Sequence, residues 1–310
     1  GTNRGLVGSD TFSGALDRLT GEDVGTYAIG QGTLDNTNYQ INYVADNFRV
    51  IPASLSAVGT QNYNGTVFVS GSSLTVTGVN GERFVASGSA ELASKNAQAN
   101  THLLNVNGLT LSGLNGASIA NYLPLSVNNT LMTIDPLTVS LSAPSITKVY
   151  DGGYGYNMTA ADLRAMSSQL VGGDTVSAAV IEFAGLNPNV CTNKVTTIQS
   201  SILNDGNGGS NYSPTYVNGV GSITAAPLTI TAVNSAKFVI QADPAGYSGA
   251  LFNGFVNGES VSSISGTLSF VRSNSSNNGA GTYALTPGGY GPQGSVNGNY
   301  AITYAAGTFT

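Results

Sequence analysis

Charge is what this chain has least of. Only 8% of its 310 residues are Asp, Glu, Lys or Arg, where a soluble domain usually carries roughly 25%. Solubility therefore rests on Ser, Thr, Asn, Gln and backbone. The 16 acidic residues outnumber the 10 basic ones and leave a net charge of −6. No basic stripe remains to displace phosphate counterions, which excludes a nucleic-acid reader. Tryptophan is absent, and cysteine and histidine occur once each. Cys191, in "NPNVCTNK", has no partner for an intramolecular disulfide and reads as a small buried apolar side chain, an intermolecular bridge or reactive thiol being the alternatives. His102, in "ANTHLLNV", would have to serve any Ser-His-Asp or Cys-His arrangement. It lies in a strand-like run with no nucleophile elbow beside it and reads as a half-exposed strand residue. Clustered zinc ligands are missing, and the glycines do not follow a strand into a helix as a phosphate loop would. The composition thus argues against an enzyme and a resident cofactor. No run of 18 apolar residues offers a membrane-spanning helix. The opening "GTNRGLVGSD" has neither a charged n-region nor an apolar h-region, so the expectation is a chain relieved of its leader or an internal piece of something longer.

What the chain does have is glycine, at 41 residues, and 41% apolar residues, enough to bury cores. Turn formers are abundant and strong helix formers scarce, which favours many short strands. An Asn-Tyr pair opens a strand-like run four times: "NYQINYVADNFRVIP", "NYLPLSVNNTLMTIDP", "NYSPTYVNGVGSITAAP" and "NYAITYAAGTFT". The tyrosines, Tyr39, Tyr122, Tyr212 and Tyr300, are separated by 83, 90 and 88 residues. The first three runs reach a proline, Pro52, Pro136 and Pro227, and a new apolar/polar alternation follows each. In the second, Leu137, Val139 and Leu141 point one way and Thr138, Ser140 and Ser142 the other, as a half-buried strand requires. The prolines suit junctions, because they cannot donate to a central ladder.

The spacing predicts an all-β chain of tandem small antiparallel β-sandwiches, Ig-like or similar, in an elongated array. The boundaries are 1–52, 53–136, 137–226 and 227–310. With a rise of about 3.3 Å per strand residue, such an array would be a rod on the order of 100 Å or more. The two ends also match each other: Gly5 aligns with Gly254, Asp10 with Glu259, and Gly25-Thr26-Tyr27 with Gly281-Thr282-Tyr283. By that alignment the first unit lacks its first strand, leaving an edge that invites a strand from upstream or from another subunit. Tyr39, Ile41 and Tyr43, like Tyr300, Ile302 and Tyr304, fall on one strand face and read as packing residues.

The stretch "KVYDGG" at 148–153, followed by "GGSNYSPTY" and "GSITAAPLTIT", resembles the YDG domain of large bacterial exoproteins. "GFVNGE", "SGTLSF", "GAGTYALTPGG" and "GNYAITYAAGTF" resemble the MBG domain that accompanies it. The resemblance covers 137–310, with 1–52 as a truncated MBG-like unit; 53–136 fits less closely, carrying "TQNYNGT" in place of "KVYDGG". It implies a secreted or surface-held bacterial adhesin stalk of the filamentous-haemagglutinin-like, two-partner secretion type.

Several residues carry narrower expectations. Tyr150, Asp151 and Gly152 read as a tight turn, with Gly152 or Gly153 at positive φ and Asp151 bonding its own backbone. "NDGNGGSN" offers Asn204, Asp205 and Asn207 as a candidate calcium site against a plain hairpin loop. Lys148, Lys194 and Lys237 are candidates for a Lys-Asn isopeptide bond. The partners expected are neighbouring repeats of the same or a longer chain, further copies in a homopolymer, or a cell-surface glycan bound by exposed Tyr, Asn and Asp.

Overall fold

A computed structural model describes residues 5–310. Among the described residues the chain is all-β apart from one α-helix and short 3₁₀ turns. It divides into two compact units, Gly1–Leu137 and Thr138–Thr310.

The first unit opens with a three-stranded antiparallel sheet of Asp17–Arg18, Gly25–Gly30 and Asp46–Val50. The run from Asn38 to Pro52 reads as strand-like, but only Asp46–Val50 within it pairs, and at 38–45 the structure differs. Tyr39, Ile41 and Tyr43 are half-buried while Gln40, Asn42 and Val44 are exposed, the alternation of a strand, but no ladder forms over them. The corresponding Tyr300–Ala305 is a strand because it lies parallel to Ala226–Ala232. No strand among the described residues stands in that place beside Tyr39. An extended segment with no backbone partner is left to its side chains, and the Tyr43 hydroxyl holds it by donating to the Ile29 carbonyl at 2.7 Å.

The rest of this unit is a seven-stranded set ordered Phe68–Ser70, Arg83–Leu92, Leu74–Thr77, Ser56–Asn62, Thr130–Asp135 and Gln98–Asn105, with Leu109–Gly113 also on Arg83–Leu92. Gln98–Asn105 pairs with Arg83–Leu92 as well as with Thr130–Asp135, so the hydrogen-bonded path closes on itself rather than leaving two separate sheets. Tyr63, Val69, Met132 and Ile134 are buried within it.

In the second unit Ile146–Val149, Gly219–Thr224, Cys191–Asn204, Thr175–Phe183 and Gly155–Tyr156 form one sheet, and Leu137–Ser142 pairs separately with Tyr212–Val217. Val139 and Leu141 are buried and Thr138, Ser140 and Ser142 exposed, as the alternation requires. The helix, Ala160–Ser167, was not anticipated from composition. Its start is a capping box, Thr159 accepting from the Asp162 N–H while Asp162 accepts from the Thr159 N–H, and Met166 anchors it in the core. Residues 226–310 carry a four-stranded sheet ordered Ala250–Asn253, Ala226–Ala232, Tyr300–Ala305, Val296–Asn297, and a three-stranded one ordered Ser269–Arg272, Tyr283–Gly288, Gly307–Phe309. Ala232, Leu285 and Phe309 from these two sheets form one buried cluster.

The pairings are mostly antiparallel, with one consistent exception. Ser56–Asn62 runs parallel to Thr130–Asp135, Ile146–Val149 to Gly219–Thr224, and Ala226–Ala232 to Tyr300–Ala305. In each stretch an early strand is therefore the parallel neighbour of a late one. A chain that enters and leaves along parallel neighbours enters at one end and leaves at the other.

Candidate functional site: the tyrosine–acid turns and the seams

The Asn-Tyr tyrosines end in the same small cluster four times. Each phenol donates to an acid and accepts the N–H of a valine three residues before that acid. Tyr39 donates to Asp10 at 2.7 Å and accepts from Val7 at 2.8 Å. Tyr122 donates to Glu82 and accepts from Val79 at 3.1 Å. Tyr212 donates to Asp174 at 2.8 Å and accepts from Val171 at 3.1 Å. Tyr300 donates to Glu259 and accepts from Val256 at 3.2 Å. Valine and acid close a turn, the acid's N–H bonding the valine carbonyl at 3.0 to 3.2 Å. The residues between them take left-handed backbone: Gly8, the pairs Asn80-Gly81 and Gly172-Gly173, and Asn257-Gly258. That conformation selects Gly and Asn. Burial, reinforced by the facing carboxylate, raises the phenols of Tyr122 and Tyr300 above their ordinary range. For Tyr39 the hydrogen bond to Asp10 is the main cause.

The asparagine before the tyrosine faces the other way, toward the preceding stretch of chain. Asn121 accepts the Val24 N–H at 2.8 Å on its side-chain oxygen, donates from Nδ2 to Asp23 at 2.7 Å, and takes the Ala53 N–H on its carbonyl at 3.0 Å. Asn299 repeats all three bonds, with Val190 at 2.9 Å, Asn189 at 3.1 Å and Ala226 at 2.9 Å. The side-chain amide and the backbone carbonyl of the asparagine thus serve one junction. Ala53 follows Pro52 whereas Ala226 precedes Pro227, so these prolines flank the bonded residue on opposite sides rather than occupying one shared position. Gly219–Thr224 and Ala226–Ala232 are separated by Ala225 alone.

At this second seam the Tyr-Asp-Gly turn completes the contact. Tyr150, 4% exposed, donates to Glu259 at 2.6 Å and meets Tyr300 edge-on at 5.8 Å between ring centroids. Glu259 therefore receives Tyr300 on one oxygen and Tyr150 on the other. Burial first, and then the bond to Glu259, pushes the Tyr150 phenol up to about 12. Asp151 accepts the Gly153 N–H at 2.8 Å and pairs with Lys148 at 2.7 Å. Gly152 has φ 79°, and a Cβ built on it would lie 2.5 Å from Cβ of Asn257, at the centre of the facing Val-Asn-Gly-Glu turn.

The last stretch holds a cation between aromatic rings. Arg272, 3% exposed, lies over Tyr283 and Phe309, with its carbon 4.8 and 5.4 Å from their centroids, and pairs with Asp243 at 2.8 Å. Lys237 pairs with the second oxygen of Asp243 at 2.7 Å and reaches Oδ1 of Asn278 at 2.7 Å. The Lys237 bond first, then those from Arg272 and Tyr247, overcome burial and hold the Asp243 carboxyl down to about 2. Arg18 stands likewise over Tyr27 and Phe48 in the first stretch. The Tyr27 and Tyr283 hydroxyls each donate to the carbonyl four residues upstream, on Asp23 and Gly279.

The remaining residues singled out in the sequence lie apart from the seams, or differ from expectation. Asp205 is buried; one oxygen accepts the N–H groups of Asn207 and Gly209, the other that of Asn211. Burial pushes its carboxyl up, but the three N–H donors outweigh this and lower it below the ordinary range. The carboxylate thus organises the 204–211 loop. Asn207 donates to the Asn211 side chain, and Asn204 ends the Cys191–Asn204 strand. Cys191 is exposed rather than buried, because the first residue of that strand lies at the seam loop next to Val190 instead of over a core. His102 Nδ1 lies 3.0 Å from the carbonyls of Val127 and Thr130, and so donates as a bridge between strand and turn. Lys148 and Lys194 donate to backbone carbonyls of the loops beside them.

The valine–acid turns escaped the sequence reading except for the match of Asp10 with Glu259. The acid alternates between Asp and Glu and precedes its tyrosine by 29, 40, 38 or 41 residues. The recurring signal was Val followed three residues later by an acid across Gly or Asn. No curated protein and no solved structure matches the chain. The family model of the MBG domain, YGX type, matches residues 1–49 and 228–310, the two stretches in which an arginine lies over a Tyr and a Phe and a tyrosine hydroxyl caps the loop four residues before it.

Proposed function

We propose that the chain is a structural segment of a secreted bacterial adhesin or extracellular matrix fibre, which places an attachment function at a distance from the cell. On this reading 1–52 is a partial MBG-like module, 53–136 and 137–226 are YDG-like, and 227–310 is a complete MBG-like module, each a small β-sandwich. The observation that carries it is the asparagine clamp, made with the same three bonds by Asn121 and Asn299. Its specific polar contacts are spent on holding consecutive stretches of chain together. The parallel pairing of an early with a late strand adds a mechanical reason. Tension applied at the two ends of such a stretch shears the whole ladder at once, for example six paired residues between 226–231 and 300–305, instead of opening one hydrogen bond at a time.

Two outcomes test this reading in the producing bacterium. Protease added to intact cells should cleave the chain, and in-frame removal of its coding segment should lower cell-to-cell or surface attachment. A chain shielded from protease, or attachment unchanged by the deletion, overturns it. The half-buried but unladdered Tyr39–Val44 favours a second reading, a filament subunit whose first module accepts a strand from another copy. Electron microscopy of the purified chain should then show fibres, and isolated particles at all concentrations would exclude it.

A further inference from the structure

The lysines differ in what faces them. Lys148 and Lys194 reach backbone carbonyls, whereas Lys237 reaches a side-chain amide. Its Nζ lies 2.7 Å from Oδ1 of Asn278 and 2.7 Å from Oδ1 of Asp243. An amine, an amide and a carboxylate therefore meet at one point, on a lysine side chain only 8% exposed. Oδ2 of Asp243 is taken up by Arg272 at 2.8 Å and Tyr247 at 3.0 Å, which leaves its buried Oδ1 facing Nζ alone.

Arg272 completes the arrangement in two ways. It donates to the carbonyls of Ser275 and Asn277 at 2.9 Å, which fixes the loop carrying Asn278, and its Nη2 lies 3.5 Å from Oδ1 of Asn278. Two cationic donors on one amide oxygen draw electrons from Cγ and stand ready for negative charge on that oxygen. The amide nitrogen makes no hydrogen bond among the described residues. Charge points the same way. The side chains of Arg272 and Lys237, 1% and 8% exposed, share a single carboxylate, and a buried cation without its own counter-charge is costly. Turning Lys237 into a neutral amide leaves Arg272 and Asp243 as a balanced pair.

We propose that Lys237 and Asn278 join in an intramolecular amide bond, with Asp243 carrying the protons and Arg272 steadying the amide oxygen. The distances describe the groups before reaction. Asp243 takes one proton from the ammonium, and the freed lone pair of Nζ forms a bond to Cγ of Asn278. Asp243 passes that proton to Nδ2, a second Nζ proton follows by the same route, and the Cγ–Nδ2 bond breaks with its electron pair going to nitrogen. Ammonium leaves, Asp243 ends as it began, and no other reactant is consumed. Asp243 is the poorer target for attack, because its ionised carboxylate repels an electron pair. The bond ties the segment after Ala226–Ala232 to the loop between Ser269–Arg272 and Tyr283–Gly288, and so joins the two sheets of 227–310. Its ends are 41 positions apart, so it closes a long loop in the unfolded chain and stabilises as a cross-link does. None of this depends on a role in adhesion.

Mass spectrometry of the purified full chain, shown folded by circular dichroism, tests the bond directly. The intact mass should fall below that of the sequence by one ammonia. Trypsin should leave the chain uncut after Lys237, and the segments carrying Lys237 and Asn278 should appear as one branched peptide. Lys237→Arg keeps the cation but not the nucleophile, and Asn278→Ala removes the carbonyl; each should restore the calculated mass and cleavage elsewhere unchanged, and Asn278→Ala should melt at a lower temperature than the linked chain. Asp243→Ala should leave the chain unlinked. A folded chain at the calculated mass overturns the proposal. So does loss of ammonia that persists in Lys237→Arg, or that leaves Lys237 open to trypsin, since cyclisation of Asn278 onto the Gly279 nitrogen would give the same mass. Linking to the full extent in Asp243→Ala overturns the role given to the carboxylate.

Discussion

Asn299 holds Val190: its side-chain oxygen takes the Val190 N–H at 2.9 Å, across a junction whose flanking strands are one residue apart. The same side chain donates to Asn189, so truncation removes the partner of the half-buried Val190 N–H and of the exposed Asn189 side-chain oxygen. Asn299→Ala should cost about 0.5 to 1.5 kcal/mol and speed hydrogen exchange at Val190, with exchange at Ile302 in the neighbouring ladder unchanged. Equal acceleration at both amides would mean that the asparagine supports the fold at large and not the seam.

Tyr150 gives that seam a pH limit. Its phenol is raised to about 12, against an ordinary value of 10.0, because the ionised form would be buried and would face Glu259. A group whose folded pKa is raised stabilises fully below its unfolded pKa and loses that contribution as pH rises through the folded value. The chain should therefore weaken between about pH 10 and pH 12. Tyr150→Phe cannot ionise, and a melting curve followed across this range should lose that part of the alkaline slope.

Gly152 is constrained twice, by φ 79° and by Asn257 facing it. Gly152→Ala should cost about 2 kcal/mol or more, from left-handed backbone and from the clash together. Asn257→Gly in the same chain should restore the part due to the clash and leave the backbone part. A pair of substitutions whose costs simply add would show that the two turns do not press on each other.

The repeat was legible because Asn-Tyr is a pair of adjacent residues, and its spacing survives however the loops vary. Its purpose was not legible. Asn121 meets Asp23 across 98 positions, and Asn299 meets Asn189 across 110, with partners alike only in presenting a backbone N–H and a side-chain oxygen. Strand direction was hidden as well, since "PLTIT" and "NYAIT" alternate identically whether paired parallel or antiparallel. Alternation alone also suggested a strand at Tyr39, Ile41 and Tyr43, where a ladder needs a second strand that local pattern does not report. The helix at Ala160–Ser167 was signalled only by Thr159 and Asp162, two residues in a chain whose composition favours strands.

Asp243 sets the acid limit. Lys237 and Arg272 hold its carboxyl down to about 2, from an ordinary value of 3.8, so its contribution is present above the unfolded pKa and is lost as pH falls through the folded one. Unfolding followed by circular dichroism should show stability declining between about pH 4 and pH 2, less steeply in Asp243→Asn. Removing the cation is the harsher change. Arg272→Ala empties the space between Tyr283 and Phe309 and strips carbonyl partners from the 273–278 loop. It also leaves Asp243 with Lys237 as its one paired cation beside the Tyr247 hydroxyl, so a loss of about 3 to 5 kcal/mol is expected. Arg272→Met keeps the apolar stem between the rings and should recover part of this, because packing and charge both act at that position. A methionine variant no better than the alanine one would assign the whole effect to the ion pair.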